Sequence, residues 1–115
     1  MLRVEDYTMF KEGNKGALQK TKFFLSRWGR TEENFSKLTR IEKRNAKLLF
    51  SALKKLTKEE REFLASKYRV VIFGKASRTD KEVAAMYDMD FNEYVMLRRG
   101  IEYKFYYYLK DLIDT

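Results

Sequence analysis

Cysteine and histidine are both absent from the 115-residue sequence. Without cysteine the chain has no disulfides and no thiolate metal sites, and without histidine it lacks the commonest metal ligand and general base. No apolar run approaches the roughly 20 residues of a membrane-spanning helix, and the amino terminus has no charged-then-apolar leader. These absences predict a soluble, cytoplasmic, non-catalytic domain that does not contact membranes and requires neither metal nor cofactor.

The residues that are abundant indicate a compact basic domain. Apolar residues make up 44% of the chain and aromatic residues 16%, which suffices for the core of one domain over residues 1–115. The net charge of +8 favours a polyanionic partner, and double-stranded DNA is the first candidate. Residues 1–56 hold 14 basic and 6 acidic side chains, whereas residues 57–115 hold 11 of each. The surplus of positive charge therefore lies in the amino-terminal part, residues 1–56, and the carboxy-terminal part, residues 57–115, is neutral.

Residues 79–105 contain two helix starts eleven residues apart. Thr79 with Glu82, and Asp90 with Glu93, each fit a capping box. In this arrangement a short side-chain oxygen accepts a hydrogen bond from the third helical amide, and the glutamate reaches back to the cap. The spacing leaves room for one short helix before the second begins.

Apolar residues follow both of these helix starts at helical spacing. They are Val83, Met86 and Tyr87 in the first helix and Tyr94, Leu97, Ile101 and Phe105 in the second. Asp88 and Met89 supply the turn, so we predict a helix-turn-helix, in which the exposed face of the second helix meets a DNA major groove. The candidate base-reading residues on that face are Phe91, Asn92, Glu93, Val95, Met96 and Arg99. For Phe91 and Met96, inward packing against the turn is the alternative.

Three more helices are predicted before residue 79, so the expected fold is all-α with about five helices. The first spans about 15–28 and ends at Gly29, the second begins at a Thr31 cap, and the third spans about 58–72 from a capping box of Thr57 and Glu60. The apolar stripe of the second helix is Phe35, Leu38, Ile41, Leu49, Leu53 and Leu56. Residues 70–73 fit either the end of the third helix or an extended segment. Residues 1–16 show no sustained period and are predicted to be an arm or loop.

Five basic residues are predicted to lie on the opposite face of the second helix. They are Lys37, Arg40, Arg44, Lys47 and Lys54, and we call them the basic stripe. Their steps of 3, 4, 3 and 7 residues keep them within an arc of about 100°. The stripe is either a solvated helix face or a surface that follows phosphates or binds an acidic protein.

Three sequence segments carry a resemblance to a known group of proteins. LTKEEREFLASKYR at 56–69, TDKEVAAMYDMD from 79 and FNEYVMLRRGIEYKFYYYL from 91 resemble region 4 of bacterial sigma factors. They are more similar to phage late-gene regulators of the ArpU and RinA type, which share a polar L-S/T-x-x-E-R-E helix, an S/T-D-x-E-V helix and a Y-Y-R-I-K-x-R-A-x-Y-K-L recognition helix. The last motif is matched by Tyr94, Leu97, Arg98, Tyr103, Lys104 and Phe105. The likeness covers residues 56–109 and does not extend to residues 1–55.

The resemblance implies a sequence-specific regulator of phage or prophage transcription in the cytoplasm of a bacterial host. The DNA contacts that it implies outside the base-reading set are Lys75, Ser77, Arg78, Thr79, Arg98 and Lys104, with Asn92 on an adenine edge and Arg99 on a base or phosphate. The chain departs from the pattern at Asp88, where glycine is usual, and at Met96, where arginine is usual. Gly100, in the middle of the second helix, indicates a close helix contact.

A second function of a different class uses the same motif as a scaffold. The exposed face, with Phe91, Val95 and Met96, would then bind RNA polymerase or another phage or host protein, and the chain would act as an adaptor or inhibitor. Some of the aromatic surface after Phe105 is expected to be buried, either against the amino-terminal helices or in a homodimer.

Overall fold

The computed structural model describes residues 2–10, 16–69 and 77–114. Within these ranges it contains six α-helices, two 3-10 helices and no strand, which confirms the predicted all-α fold of about five helices. The α-helices are α1 (Ala17–Leu25), α2 (Trp28–Glu33), α3 (Arg40–Lys55), α4 (Lys58–Tyr68), α5 (Asp80–Met86) and α6 (Phe91–Asp114). The 3-10 helices are Val4–Phe10 and Phe35–Lys37. None of the helices in these ranges combines the length and apolar character needed to cross a membrane.

The longest helix, α6, is the centre of the fold. It has 24 residues and packs against α1, α3, α4, α5 and the amino-terminal 3-10 helix. Its buried apolar side chains recur every three or four residues and are Tyr94, Leu97, Ile101, Phe105 and Leu109. A 3.6-residue period places these positions on one side of the helix. Their burial confirms that this side is the inward face, as predicted.

The capping boxes of α3 and α4 have the same geometry. Thr57 accepts a hydrogen bond from the Glu60 amide, and Glu60 accepts one from the Thr57 amide, as predicted. α3 is capped in the same way by Thr39 and Glu42 and does not begin at Thr31, so that prediction was wrong. The same three-residue spacing of threonine and glutamate is present at Thr39, whereas Thr31 is buried within α2.

The region between α1 and α3 differs from the prediction of one helix ending at Gly29. α1 ends at Leu25, and Gly29 lies inside the short helix α2, which begins at Trp28. Trp28 is buried, and its indole N–H donates a 2.6 Å hydrogen bond to Glu32 one turn later. Burial of the indole and this local bond stabilise a second helical segment after the bend at residues 26–27.

The apolar stripe predicted for the second helix is only partly buried. Leu49, Leu53 and Leu56 belong to the core, but Ile41 is 73% exposed, and Phe35 lies outside α3. The extended backbone at Leu38 and Thr39 separates the 3-10 helix from α3 and breaks the helical period on which the prediction depended.

The amino-terminal segment is not simply an arm or loop. Residues 4–10 form a 3-10 helix that packs on α6, and Tyr7 is part of the core. A Cβ added at Gly100 would lie 2.7 Å from the Tyr7 Cβ. Gly100 therefore permits the close contact that its position predicted, although sequence reasoning did not identify Tyr7 as the partner. Phe10 extends this contact by packing edge-on to Tyr107, with ring centres 5.6 Å apart.

The end of α4 agrees only in part with the prediction. The helix ends at Tyr68 and not at the predicted 72, and its apolar residues Phe63, Leu64 and Tyr68 are buried. The prediction for residues 70–73 lies outside the described residues.

Candidate nucleic-acid interface

α5 and α6 form a helix-turn-helix, and one half of each predicted capping box is confirmed, the half in which the cap side chain accepts from the glutamate amide. The Thr79 hydroxyl accepts a hydrogen bond from the Glu82 amide, and the Asp90 carboxylate accepts one from the Glu93 amide, each at 3.2 Å. Asp88 has a φ of 52° and is the one non-glycine residue with positive φ in the described part of the chain. Aspartate tolerates this left-handed conformation better than most residues, so it can make the turn with modest strain.

The buried face of α5 differs from the prediction. Val83 is buried as expected, but its buried neighbour is Ala84, while Met86 and Tyr87 are exposed. α5 ends at Met86, and the chain turns at Tyr87, so these two residues do not continue the inward period. The Tyr87 ring instead lies against Phe63 at the edge of α4, with ring centres 5.0 Å apart.

The first half of α6 has an accessible side, which we call the outer face of α6. Its residues are the predicted set Phe91, Asn92, Glu93, Val95, Met96 and Arg99, all of them exposed except the half-buried Val95. Phe91 is 48% exposed and Met96 57%, which contradicts inward packing of these side chains. Asn92 and Arg99 are seven residues apart and so lie close to one line along the helix. The outer face thus presents amide, guanidinium and apolar groups together.

Arg98 does not belong to the outer face, although it was predicted to contact DNA. Its side chain is 11% exposed and forms ion pairs with Glu102 at 2.7 Å and with Asp80 at 2.9 Å. Burial alone would lower the pKa of Arg98, but the Glu102 carboxylate outweighs it and holds that pKa above its ordinary value. The guanidinium is a fixed cation inside the fold and is not available to a phosphate or a base.

The surroundings of Arg98 join three helices, and we call these side chains the Arg98 network. They are Lys67 and Tyr68 of α4, Asp80 of α5, and Arg98 and Glu102 of α6. Lys67 pairs with Asp80 at 3.1 Å, and the Tyr68 hydroxyl donates to Glu102 at 2.7 Å. The network links α5 to α6 and so holds the two helices of the motif together. Sequence reasoning missed it, although the spacing of four between Arg98 and Glu102 was a readable signal.

Lys104 is also engaged inside the protein. Its ammonium donates to both oxygens of the Glu60 carboxylate, at 2.9 and 2.8 Å, and the Tyr7 hydroxyl donates to the same carboxylate at 2.6 Å. Burial raises the pKa of Glu60, but the bonds from Lys104, Tyr7 and the Thr57 amide lower it more, so the pKa lies below its ordinary 4.5. Lys104 therefore anchors the amino-terminal 3-10 helix and α4 to α6, which removes it from the predicted DNA contacts.

The predicted DNA contacts just before α5 are less accessible than expected. The Arg78 guanidinium donates to the Ser66 carbonyl oxygen at 2.8 Å, and Ser77 is half-buried. Thr79 is exposed, with its hydroxyl oxygen used in the helix cap. Lys75 lies outside the described residues.

The basic stripe is fully exposed. Lys37 belongs to the second 3-10 helix, which corrects its placement on the long helix, and the other four residues lie on α3. On α3 they lie opposite the buried positions Ala46, Leu49 and Leu53. No stripe residue forms an ion pair with a carboxylate in the described ranges. Their charges are therefore available to an anionic partner.

The described residues contain no group of three or more acidic side chains arranged to hold a metal ion. Two accessible surfaces carry groups that can bind a partner: the outer face of α6 and, separately, the basic stripe. Comparisons with protein-family models, with curated proteins and with solved structures found no significant match to the chain.

Proposed function

We propose that the protein is a sequence-specific DNA-binding regulator of transcription, encoded by a phage or prophage and acting in the bacterial cytoplasm. One observation carries this proposal: α5, the turn and α6 form a helix-turn-helix, and the first half of α6 presents Asn92 and Arg99 on one accessible line. In such motifs the start of the second helix enters the major groove, where base edges differ in their hydrogen-bonding groups. The resemblance of residues 56–109 supports the same reading.

The outer face of α6 suits direct recognition of bases. The Asn92 amide can donate and accept at once, as adenine requires, and Met96 and Val95 offer apolar contact to a thymine methyl group. Arg99 reaches either a guanine edge or a phosphate. Glu93 can accept a hydrogen bond from the cytosine amino group, which gives its negative charge a role in selectivity.

The Arg98 network and the Thr79 cap hold α5 and α6 in place and so position the outer face of α6. Ion pairs from Arg98 to Asp80 and Glu102 tie the start of α5 to the first half of α6. A fixed angle between the two helices is needed because base recognition depends on side chains placed to within a fraction of an ångström. We propose that Arg98 acts as a positioning residue and not as a DNA ligand.

Selection from a random double-stranded DNA pool tests the proposal. We expect a motif to be enriched, and palindromic half-sites in it would indicate a homodimer on DNA. Asn92→Ala should relax preference at one position and weaken the favoured site by about 1 to 3 kcal/mol, with non-specific binding nearly intact. Lys110→Ala, exposed on the far part of α6, is the matched control. Failure to enrich any motif contradicts the proposal.

A second candidate function is a protein-binding adaptor or inhibitor, with RNA polymerase as the first partner to test. The exposure of Phe91 and Met96 favours it, because large apolar and aromatic side chains are enriched at protein interfaces. The acidic residues Asp88, Asp90 and Glu93 around the start of α6 also disfavour close approach of phosphates.

Salt dependence separates the two candidates. DNA binding through phosphates gives a steep fall of log affinity for a mixed DNA pool against log salt. If the protein is an adaptor, we expect weak binding to DNA of every sequence. We also expect binding to purified RNA polymerase, and this binding should be lost in a Phe91→Ala, Met96→Ala double variant. Replacing Ile41 and Phe35, which are exposed far from α6 in sequence, is the control for a general loss of apolar surface.

A further inference from the structure

A cleft of about 290 Å³ lies beside the outer face of α6. It is lined by Leu18, Gln19 and Lys22 of α1, by Arg99 of α6, and by Ser77, which comes three residues before α5. The cleft exists because α1 packs directly along α6. It brings a helix from the basic amino-terminal part next to the helix-turn-helix.

The electrostatic balance of this α1–α6 cleft is positive. Two carboxylates line it, Asp80 and Glu102, and both are neutralised within the Arg98 network. Lys22 and Arg99 are exposed, and neither forms an ion pair with a carboxylate in the described part of the chain. The cleft therefore presents two available cations, with the hydrogen-bonding side chains of Gln19 and Ser77 beside them.

This chemistry suits a phosphate of a nucleic-acid backbone. A guanidinium and an ammonium that line one cleft from two helices can share the charge of one phosphodiester, and amide and hydroxyl groups add neutral hydrogen bonds. The location points to DNA in particular, because Arg99 lies on the same line of α6 as Asn92. If Asn92 lies in the major groove of a duplex, a phosphate strand runs along each edge of that groove. The groove is only about 12 Å wide, so one of these strands comes near Arg99.

We propose that α1 is part of the DNA interface and that Lys22, together with Arg99, binds the phosphate backbone at the α1–α6 cleft. The inference rests on the proposed DNA-binding function and deepens it, since it adds an element outside the helix-turn-helix and assigns Arg99 to a phosphate and not to a base. Lys22 holds the register of the duplex against α6 and contributes no base preference.

Lys20 gives a matched control on the same helix. Both lysines are exposed, but two positions on a helix point about 200° apart, and only Lys22 lines the cleft. Lys22→Gln and Lys20→Gln therefore remove the same charge from the same helix and differ only in position. Both variants should keep the melting temperature of the parent protein, because exposed substitutions of this kind change stability little.

The experiment measures binding to a fluorescent duplex carrying the selected motif, and to a mixed-sequence duplex, over a salt series. Lys22→Gln should flatten the plot of log affinity against log salt by about 1 unit on both duplexes, since each phosphate contact contributes about 0.9. Lys20→Gln should leave the slope within error, and Lys22→Arg should restore it. Arg99→Ala should weaken both duplexes alike, and its effect should be smaller in the Lys22→Gln background because the two residues share a phosphate.

Each other outcome has a distinct meaning. Parent protein that binds both duplexes with no salt dependence, or binds neither, overturns the DNA-binding function and this inference together. Equal slopes for Lys22→Gln and Lys20→Gln, with selective binding retained, overturn the α1 contact and leave the proposed function standing. A loss confined to the selected duplex in Arg99→Ala would return Arg99 to base reading and contradict its phosphate role.

Discussion

The basic residues of α3 and those of α6 differ in what their charges contact. The basic stripe, four of whose five residues lie on α3, is exposed and pairs with no carboxylate among the described residues. On α6, Arg98 and Lys104 are largely buried and reach carboxylates of α4 and α5 at 2.8 to 2.9 Å. Basic residues therefore hold helices together at Arg98 and Lys104 of α6, whereas those of the basic stripe remain available for binding.

This difference explains why net charge alone is a poor guide to the binding site. In the neutral carboxy-terminal part, Lys67, Arg98 and Lys104 form ion pairs with carboxylates inside the fold. Among its exposed cations, Lys81 lies on α5 and Arg99 on the first half of α6, within the motif. The amino-terminal part holds the surplus on outward faces, where it can attract a polyanion without contributing to stability. The comparison can be tested through variants whose effects on unfolding differ widely.

The largest loss of stability is expected when a charge is placed in the hydrophobic core, against which both α3 and α6 pack. Leu97→Asp puts a carboxylate at a buried position of α6 with no partner, at a cost of several kcal/mol out of a total stability of about 5 to 15. We expect loss of cooperative thermal unfolding in circular dichroism. A melting temperature like that of the parent protein would show that Leu97 is not in the core.

A large effect is also expected for Arg98→Ala. It leaves Glu102, which is 2% exposed, without its cation, and breaking a buried pair in this way costs about 3 to 5 kcal/mol. Arg99→Ala, one residue further along the same helix, should change the free energy of unfolding by less than about 0.5 kcal/mol because its side chain is exposed. Urea denaturation of both variants measures the contrast. Equal losses would mean that the two arginines do not differ in pairing.

An intermediate effect is expected for Gly100→Ala. Alanine favours helix by about 1 kcal/mol over glycine, but its Cβ would meet the Tyr7 Cβ at 2.7 Å, and overpacking typically costs about 1 to 3 kcal/mol. We expect net destabilisation, and separation of the amino-terminal 3-10 helix from α6 as the way to relieve the clash. A lower urea midpoint would agree with this expectation. A stabilised variant would contradict the close packing of the two helices.

The internal carboxylates predict a loss of stability in acid. For Asp80, burial raises the pKa, but Lys67 and Arg98 outweigh it, so its pKa, like that of Glu60, lies below the ordinary value. The unfolded chain therefore takes up these protons at higher pH than the folded protein does. The stabilisation is complete above about pH 5 and is lost as the pH falls through the unfolded and then the folded pKa.

Urea midpoints measured from about pH 7 down to about pH 3 test this loss. The decline should be smaller in Glu60→Gln, which cannot titrate at that position. Glu33→Gln, which replaces an exposed carboxylate, is the control and should decline as the parent protein does. An acid-insensitive midpoint in the parent protein would contradict the hydrogen-bonded state of both carboxylates.

Local chemistry accounts for the features that the sequence allowed us to predict. Threonine or aspartate with a glutamate three residues later marked the starts of α4, α5 and α6, because a cap and its partner are neighbours in the chain. The inward face of α6 followed from its period. The start of α3 carried the same signal at Thr39 and was missed in favour of Thr31.

The contacts that separate binding residues from structural ones were not predictable in this way. Arg98 meets Asp80 across 18 residues, Lys104 meets Glu60 across 44, and Tyr7 meets Glu60 across 53. Such pairs depend on how helices pack and leave no periodic trace in the sequence. The sequence alone therefore does not show whether a basic residue on α6 faces outward or pairs with a buried carboxylate.

The smallest effect on stability, and a large one on binding, is expected for the basic stripe. Replacing Lys37, Arg40, Arg44 and Lys47 by glutamine should change the free energy of unfolding by less than about 0.5 kcal/mol for each residue, because all four are exposed. If the stripe follows DNA phosphates, the slope of log affinity against log salt should flatten by up to roughly 3 to 4 units, with the preferred sequence unchanged. An unchanged slope with lost binding to RNA polymerase would assign the stripe to a protein partner. An unchanged slope with all binding intact would make it a solvated face, and the contrast with α6 would then concern stability alone.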